Sequence, residues 1–319
     1  MLASQIVNDL ALQCHELVKQ FKDTRAVDGL DMEVPKGVIF GLLGPNGSGK
    51  TTTIRMSLGV FPPDSGDVRL LDAPDPLSVR HRVGYLPEER GLYAKMKVIE
   101  QLAFLGTIRG LSLSEAGRRA AAWLERLGLG DRQNSLTNEL SKGNQQKVQF
   151  ASAIIHEPEL IVLDEPSSGL DPVNSRLLSD LILEQKKRGA TVILSTHRME
   201  EVEAMCDAIC LIHQGKPVLS GRLSEIKAAY GKSSVAVEYD GAPGSLEDLP
   251  GVATVRDTGR AAHLRLEPSA DSQTVLRALV DRVRVRSFSL EEPHIEEIFF
   301  EKVGGTPSRD ASATQEVRA

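Results

Sequence analysis

Residues 38–58 hold the feature that most restricts what this chain can fold into. An apolar run, Val38-Ile39-Phe40-Gly41-Leu42-Leu43, leads directly into Gly44-Pro45-Asn46-Gly47-Ser48-Gly49-Lys50-Thr51-Thr52. That second stretch fills every fixed position of the phosphate-binding loop pattern, glycines, lysine and hydroxyl alike. The order is buried strand, glycine-rich turn, then a helix predicted over 51–58, which commits the chain to an α/β architecture. Glycines let the main chain curl so that successive N–H groups face phosphate oxygens, where a Cβ would obstruct. Lys50 is placed to bridge the β- and γ-phosphates, and Thr51 to put its hydroxyl on Mg²⁺. The positive end of the following helix faces the same group. The chain is therefore expected to grip a nucleoside triphosphate.

A chain of 319 residues can bury one sizeable core and a smaller second one. Charged residues at 26% and hydrophobic ones at 41% are ordinary for a globular protein, and no apolar run approaches the ~20 residues of a membrane helix. The N-terminus has no basic flank followed by an apolar core, so no secretory signal is expected. A net charge of −6 argues against direct nucleic-acid binding as the main task. Cys14, Cys206 and Cys210 have neither even count nor C-x-x-C spacing. They read as buried thiols in a reduced, cytoplasmic setting, with Cys206 and Cys210 at a spacing that one helical face would accommodate.

Before the loop, residues 12–34 read as strand, turn and strand, an antiparallel edge on the core. After it, Pro62-Pro63-Asp64-Ser65-Gly66 and Pro74-Asp75-Pro76 bracket a short strand expected at 68–71. Between about 97 and 150 the period turns helical, with Gly128 as a stop signal. Short apolar runs at 160–163, 191–194 and 209–212, separated by helical stretches, predict strands of a parallel sheet buried on both faces. From 232 the pattern changes to strand alternation at 235–239 and 262–266, a helix at 272–280 and a strand at 283–288, which suggests a separate small α+β domain. The polar stretch at 305–319 reads as a disordered tail.

Asp164-Glu165 follows the run at 160–163 and puts two carboxylates at the C-terminal edge of the sheet, where ligands bind in such folds. Asp164 is the candidate Mg²⁺ ligand. Glu165 is the candidate base that orients and deprotonates the water attacking the γ-phosphate.

Leu140-Ser141-Lys142-Gly143-Asn144-Gln145 closely resembles the Leu-Ser-Gly-Gly-Gln signature peptide of ATP-binding cassette (ABC) proteins, with Lys142 and Asn144 as departures. The resemblance runs through about residues 12–220 in the family's order. It implies a P-loop NTPase cassette with a parallel-sheet core, an antiparallel edge and a helical insertion at about 94–155, within a domain of 12–228. An extension of 1–11 would precede it, and an accessory α+β domain of 232–304 would follow. ATP and Mg²⁺ are the implied cofactors. The resemblance also implies that Phe21 stacks on adenine, that Val27 lines the same base, and that Ser141, Gly143, Asn144 and Gln145 meet the γ-phosphate of a second subunit's nucleotide. Asp171, in Ser168-Gly169-Leu170-Asp171, corresponds to the loop that contacts the opposite subunit, and His197 to the switch histidine. Where most members carry a metal-touching glutamine this chain has Glu88, with Glu89 as the alternative register.

One cassette per chain implies a homodimer or paired cassette, closed by ATP and reopened by hydrolysis. The implied load is a separate transmembrane permease, with the chain peripheral on the cytoplasmic side of the membrane. Residues 287–299, ending Glu296-Glu297-Ile298-Phe299, resemble the closing motif of accessory domains on bacterial export-type cassettes, with His294-Ile295 in place of Ser-Leu. An ATPase subunit of an exporter is the leading expectation. A soluble cassette that remodels a cytoplasmic assembly, or a regulatory module that binds ATP without efficient turnover, are the alternatives.

Overall fold

The computed structural model describes residues 9–303 except 90, 231–233, 243, 245, 268, 269 and 293. The predicted tail and most of the predicted N-terminal extension lie outside the described residues. The chain divides into two compact units, Met1–Arg222 and Leu223–Ala319.

The first unit is built on a six-stranded sheet in the order β5-β6-β7-β3-β8-β9. Its strands are β3 (Ile39–Leu43), β5 (Val83–Leu86), β6 (Leu160–Asp164), β7 (Thr191–Thr196), β8 (Ala208–His213) and β9 (Lys216–Arg222). All pairings are parallel except β8 with β9. Strands β3, β6 and β7 are buried at every position, as expected of parallel strands covered on both faces. Register places Leu43 beside Thr196 and Asp164 beside Ser195. The carboxyl ends of the three central strands therefore finish in one row, beneath whatever the following loops hold.

A three-stranded antiparallel sheet in the order β2-β1-β4 forms the predicted edge, from β1 (Leu10–Phe21), β2 (Thr24–Pro35) and β4 (Ser65–Leu70). Strand β4 starts at Ser65, inside the stretch expected to be a turn. A β-bulge in β1 lies between His15 and Val18. A Cβ on Gly66 would stand 2.4 Å from His15 O and Glu16 O, so glycine lets β4 pass close to the bulge.

The helical insertion consists of α2 (Val98–Ile108), α3 (Leu113–Arg126) and α4 (Lys142–Ile154), after α1 (Lys50–Ser57). Helix α3 starts at Ser112, whose hydroxyl accepts the Glu115 N–H, and it stops at Gly128 with φ 67°. Its buried stripe is Ala116, Ala120, Trp123 and Leu124. Helices α5 (Pro172–Lys187) and α6 (Met199–Met205) complete the unit. Cys206 and Cys210 do not share a helical face. Cys206 caps α6 and Cys210 lies within β8, since the chain turns back into the sheet between them.

The second unit holds an antiparallel sheet in the order β11-β12-β10-β13. Its strands are β10 (Ser234–Asp240), β11 (Val252–Asp257), β12 (Ala261–Leu266) and β13 (Arg284–Glu291), with helices α7 (Leu223–Tyr230), α8 (Ser272–Val280) and α9 (Ile295–Val303). Val235, Val237, Tyr239 and Leu264 on one sheet face pack with Val275 and Leu279 of α8. The division at Arg222 assigns α7 to this unit, although 223–228 were expected to close the cassette. Among the described residues no helix is long and apolar enough to cross a membrane.

Candidate nucleotide site

The phosphate loop leaves β3 at Leu43 and enters α1 at Lys50. Gly44 and Gly49 have φ of 149° and 109°, and a Cβ on them would stand 2.2 Å from Ile212 O and 2.4 Å from Ala26 O. Both the backbone twist and the close approach therefore demand glycine. Behind the loop, the turn joining β8 to β9 acts as a brace: Gly215 N donates to Ser48 O at 2.9 Å, and Asp28 N donates to Gly215 O at 2.8 Å. The helix cap is Gly49, which has no side chain to satisfy the first-turn N–H groups of α1, so these stay available to an anion. Pro45, Asn46 and Gly47 are exposed, Ser48 and Lys50 are buried, and Thr51 and Thr52 are half-buried in the first turn.

Lys50 Nζ donates to Gly44 O at 2.8 Å and Pro45 O at 3.2 Å. It also stands 3.8 Å from Glu165 Oε1. Burial pulls its pKa below the usual lysine value, while Glu165, Asp164 and Glu88 act against that shift by favouring the charged form.

Asp164, the last residue of β6, is fully buried. Its Oδ1 accepts from Ser195 Oγ at 2.6 Å, and its Oδ2 has no hydrogen-bond partner. Ser48 Oγ is likewise buried without a partner. Unpartnered buried oxygens are costly, and a lone carboxylate oxygen beside the phosphate loop suits a hard divalent cation such as Mg²⁺.

Glu165 follows with φ 49°, a left-handed conformation that costs about 1 to 3 kcal/mol in a non-glycine residue. Its N–H donates to Ser195 O at 2.9 Å. Its carboxylate accepts from His197 Nδ1 at 2.9 and 3.0 Å while lying near Lys50 on its other side. His197, just past β7, is thereby clasped to Glu165.

Glu88 is exposed, and its field reaches Lys50. Glu89 has an 87% exposed side chain that approaches Arg55 of α1 at 3.8 Å. Gln149 Nε2 of α4 donates to Pro87 O at 3.0 Å and Glu89 O at 3.1 Å, which pins this loop to the helical insertion.

The signature residues form a second cluster. Ser141 caps α4, its Oγ accepting the Asn144 N–H at 3.3 Å. A Cβ on Gly143 would meet only Leu170 Cδ2 at 3.4 Å and Gly169 O at 3.9 Å. That is ordinary contact, so packing within the chain does not itself require glycine there. Gln145 Nε2 points inward, donating to Thr137 O at 3.1 Å and Leu140 O at 3.2 Å. Asp171 caps α5, accepting from Asn174 N at 2.9 Å, and these bonds hold its carboxyl below the usual range. Gln146 Nε2 donates to Pro166 O at 2.9 Å, linking this cluster to the residue after Glu165.

Phe21 ends β1 with 47% of its surface exposed, edge-on to Phe61 at 5.9 Å. It presents a ring to the exterior. Val27 does not offer the base-lining surface expected of it. It is 0% exposed, and its Cγ2 would lie 3.5 Å from a Cβ on Gly49, so its methyl groups support the loop from below.

Three residues that contribute to this geometry were not singled out from sequence. Ser195 directly follows the strand expected at 191–194 and carries no motif of its own, Gln149 sits in an unremarkable helical stretch, and Gly215 reads as a generic turn glycine.

A phosphate loop on one parallel strand, with carboxylates at the end of another, defines a P-loop ATPase cassette. A family model described as "ABC transporter" matches residues 27–168, and one described as "ATP-binding protein DrrA1-3-like, C-terminal domain" matches 221–303. The ABC transporter ATP-binding protein YhaQ of Bacillus subtilis is 44% identical over 92% of this chain and 98% of its own length. The daunorubicin/doxorubicin resistance ATP-binding protein DrrA of Streptomyces peucetius is 32% identical over 96% of both chains. A solved structure of an ATP-binding subunit of an ABC transporter superposes with a TM-score of 0.64 at 32% identity, covering 69% of this chain and 93% of that one. The chain belongs to the ATP-binding proteins of ABC transporters.

Proposed function

We propose that this chain hydrolyses ATP as one member of a pair of cassettes and thereby drives a separate permease that exports its cargo. The observation that carries the chemistry is the convergence of Lys50, Glu165 and His197 beside an unpartnered Asp164 Oδ2. Lys50 would exchange the Gly44 and Pro45 carbonyls for phosphate oxygens. Asp164 Oδ2 and the Thr51 hydroxyl would hold Mg²⁺, with Glu88 close by. Bound metal would neutralise charge on the phosphate oxygens. Glu165 would accept the proton of the attacking water, and His197, with half of its side chain exposed, holds that carboxylate in place.

Pairing is supported by the signature cluster, where Ser141 is exposed and Gly143 is not needed by its own chain's packing. In a pair, Ser141, Gly143 and the N–H groups heading α4 would close over the partner's nucleotide, with Asp171 at the seam. Export as the direction is supported by the drug-resistance name of DrrA and by the DrrA-like C-terminal match, and a peripheral place on the cytoplasmic side of the membrane goes with that reading.

The test is Glu165→Gln in the purified chain. Nucleotide binding should persist, turnover should fall about 100-fold or more, and ATP should trap a dimer visible by size-exclusion chromatography. Wild-type turnover in this variant would remove Glu165 as the base, and a chain that stays monomeric with ATP would remove the pairing. Co-purification from membranes identifies the permease.

A further inference from the structure

The second unit carries a group of side chains that the nucleotide chemistry does not use. His263, Glu291 and His294 each bring a ligand atom to within 4.8 Å of the others, the one such trio of His, Cys, Asp or Glu found among the described residues. We propose that they form a binding site for a divalent transition cation of the Zn²⁺ type, which fastens the start of α9 to the sheet.

Strand pairing brings these residues together. On the central strand β10, Ala236 lies opposite His263 of β12 on one side and Ser289 of β13 on the other, while Ser234 lies opposite Glu291. Directly paired residues share a sheet face, so His263 and Glu291 flank β10 on the same side. Between them on β10 stands the small side chain of Ala236. The opposite face holds Val235, Val237 and Leu264 in the core, so the trio stands on the polar face. Helix α9 covers part of that face, with Ser234 Oγ donating to Glu297 Oε2 at 3.0 Å. His294, one residue before α9, completes the group.

The contacts around His263 leave one ring nitrogen unused. His263 Nδ1 is buried as an atom and has no hydrogen-bond partner. It faces Glu291 Oε2 at 3.8 Å, too long for a hydrogen bond. The two imidazole rings stand 5.9 Å apart, edge to face. Tetrahedral zinc ligands lie about 3.3 Å from one another, so closing on an ion needs movements of about 1 Å, within reach of partly exposed side chains.

Nearby cations do not oppose this. Arg256, opposite His263 on β11, pairs with Glu296 at 3.2 Å, and Arg265 pairs with Glu301. Two imidazoles and one carboxylate favour zinc over magnesium or calcium, which prefer all-oxygen shells. Three protein ligands leave a fourth position for water or an outside group.

The test uses the full chain, stripped with chelator and free of nucleotide. Titration with Zn²⁺, and with Co²⁺ as a spectroscopic probe, should give one equivalent bound and a visible Co²⁺ d–d band. His294→Ser and His263→Asn should each weaken binding by at least about tenfold and abolish the band. The thiols do not compete, because burial pushes Cys14, Cys206 and Cys210 up to about 12. No uptake by the wild-type chain at micromolar metal would overturn the proposal, as would unchanged uptake in the two variants. His294 is exposed, so His294→Ser decides the matter if His263→Asn fails to fold.

Discussion

At the scale of single residues, the site is a balance of charge around one buried ammonium. Lys50 is attracted by Glu165, Asp164 and Glu88, and the triphosphate adds further negative charge to the same space. Glu88 is the exposed member, so its removal should not disturb packing. Glu88→Gln is expected to raise affinity for metal-free ATP about two- to fivefold and to increase the Mg²⁺ concentration needed for half-maximal turnover. Nucleotide titration across a magnesium series checks both. Equal magnesium dependence in the two proteins would mean that Glu88 contributes nothing to metal binding. The sequence made Lys50, Asp164 and Glu165 readable because phosphate chemistry fixes residue type and spacing together. It could not show that Val27 has no exposed surface, since an apolar residue reads alike whether it faces a base or supports a loop. Gln149 was unreadable for a related reason: its partners are backbone carbonyls 60 and 62 positions away, and carbonyls leave no signature in a sequence.

At the scale of elements, the helical insertion and the sheet meet where α4 runs into β6. A Cβ on Gly84 of β5 would stand 2.0 Å from Ala153 O of α4, so strand and helix approach backbone to backbone. His156 lies at this junction. Its Nε2–H donates to Val83 O at 3.2 Å, and its Nδ1 has no partner. Burial, with Arg109 and Arg119 repelling added charge, lowers its pKa from 6.5 to about 4. The fold therefore keeps the ring neutral while the unfolded chain takes up a proton below about pH 6.5. This contribution to stability is full above pH 6.5 and is lost as pH falls toward 4. Melting temperature followed from pH 7 to 4.5 should decline more steeply for the wild type than for His156→Gln, which keeps an N–H donor and cannot titrate. Equal slopes would dismiss the assignment. Long periodic elements such as α3 were legible in the sequence, and so were the fully apolar strands. Strands β5, β9 and β11 were not. β5 has four residues including a glycine, β9 is an edge strand carrying Pro217 and Gly221, and β11 is mostly exposed and so lacks a clear alternation.

At the scale of the whole molecule, every residue described around the nucleotide site belongs to the unit that ends at Arg222, and the second unit has its own buried core. A chain ending at Arg222 should therefore bind MgATP within about threefold of the full protein, since no binding side chain is removed. Fluorescent-nucleotide titration measures this, and a loss greater than tenfold would assign part of the grip to the C-terminal unit. The hairpin turn at Gly215 has the widest consequence. By fastening Ser48 and Asp28 to the far edge of the sheet, it gives the glycine-rich segment its arched shape ahead of any ligand. An arriving polyanion has little chain freedom left to freeze, so more of the attraction is retained as affinity.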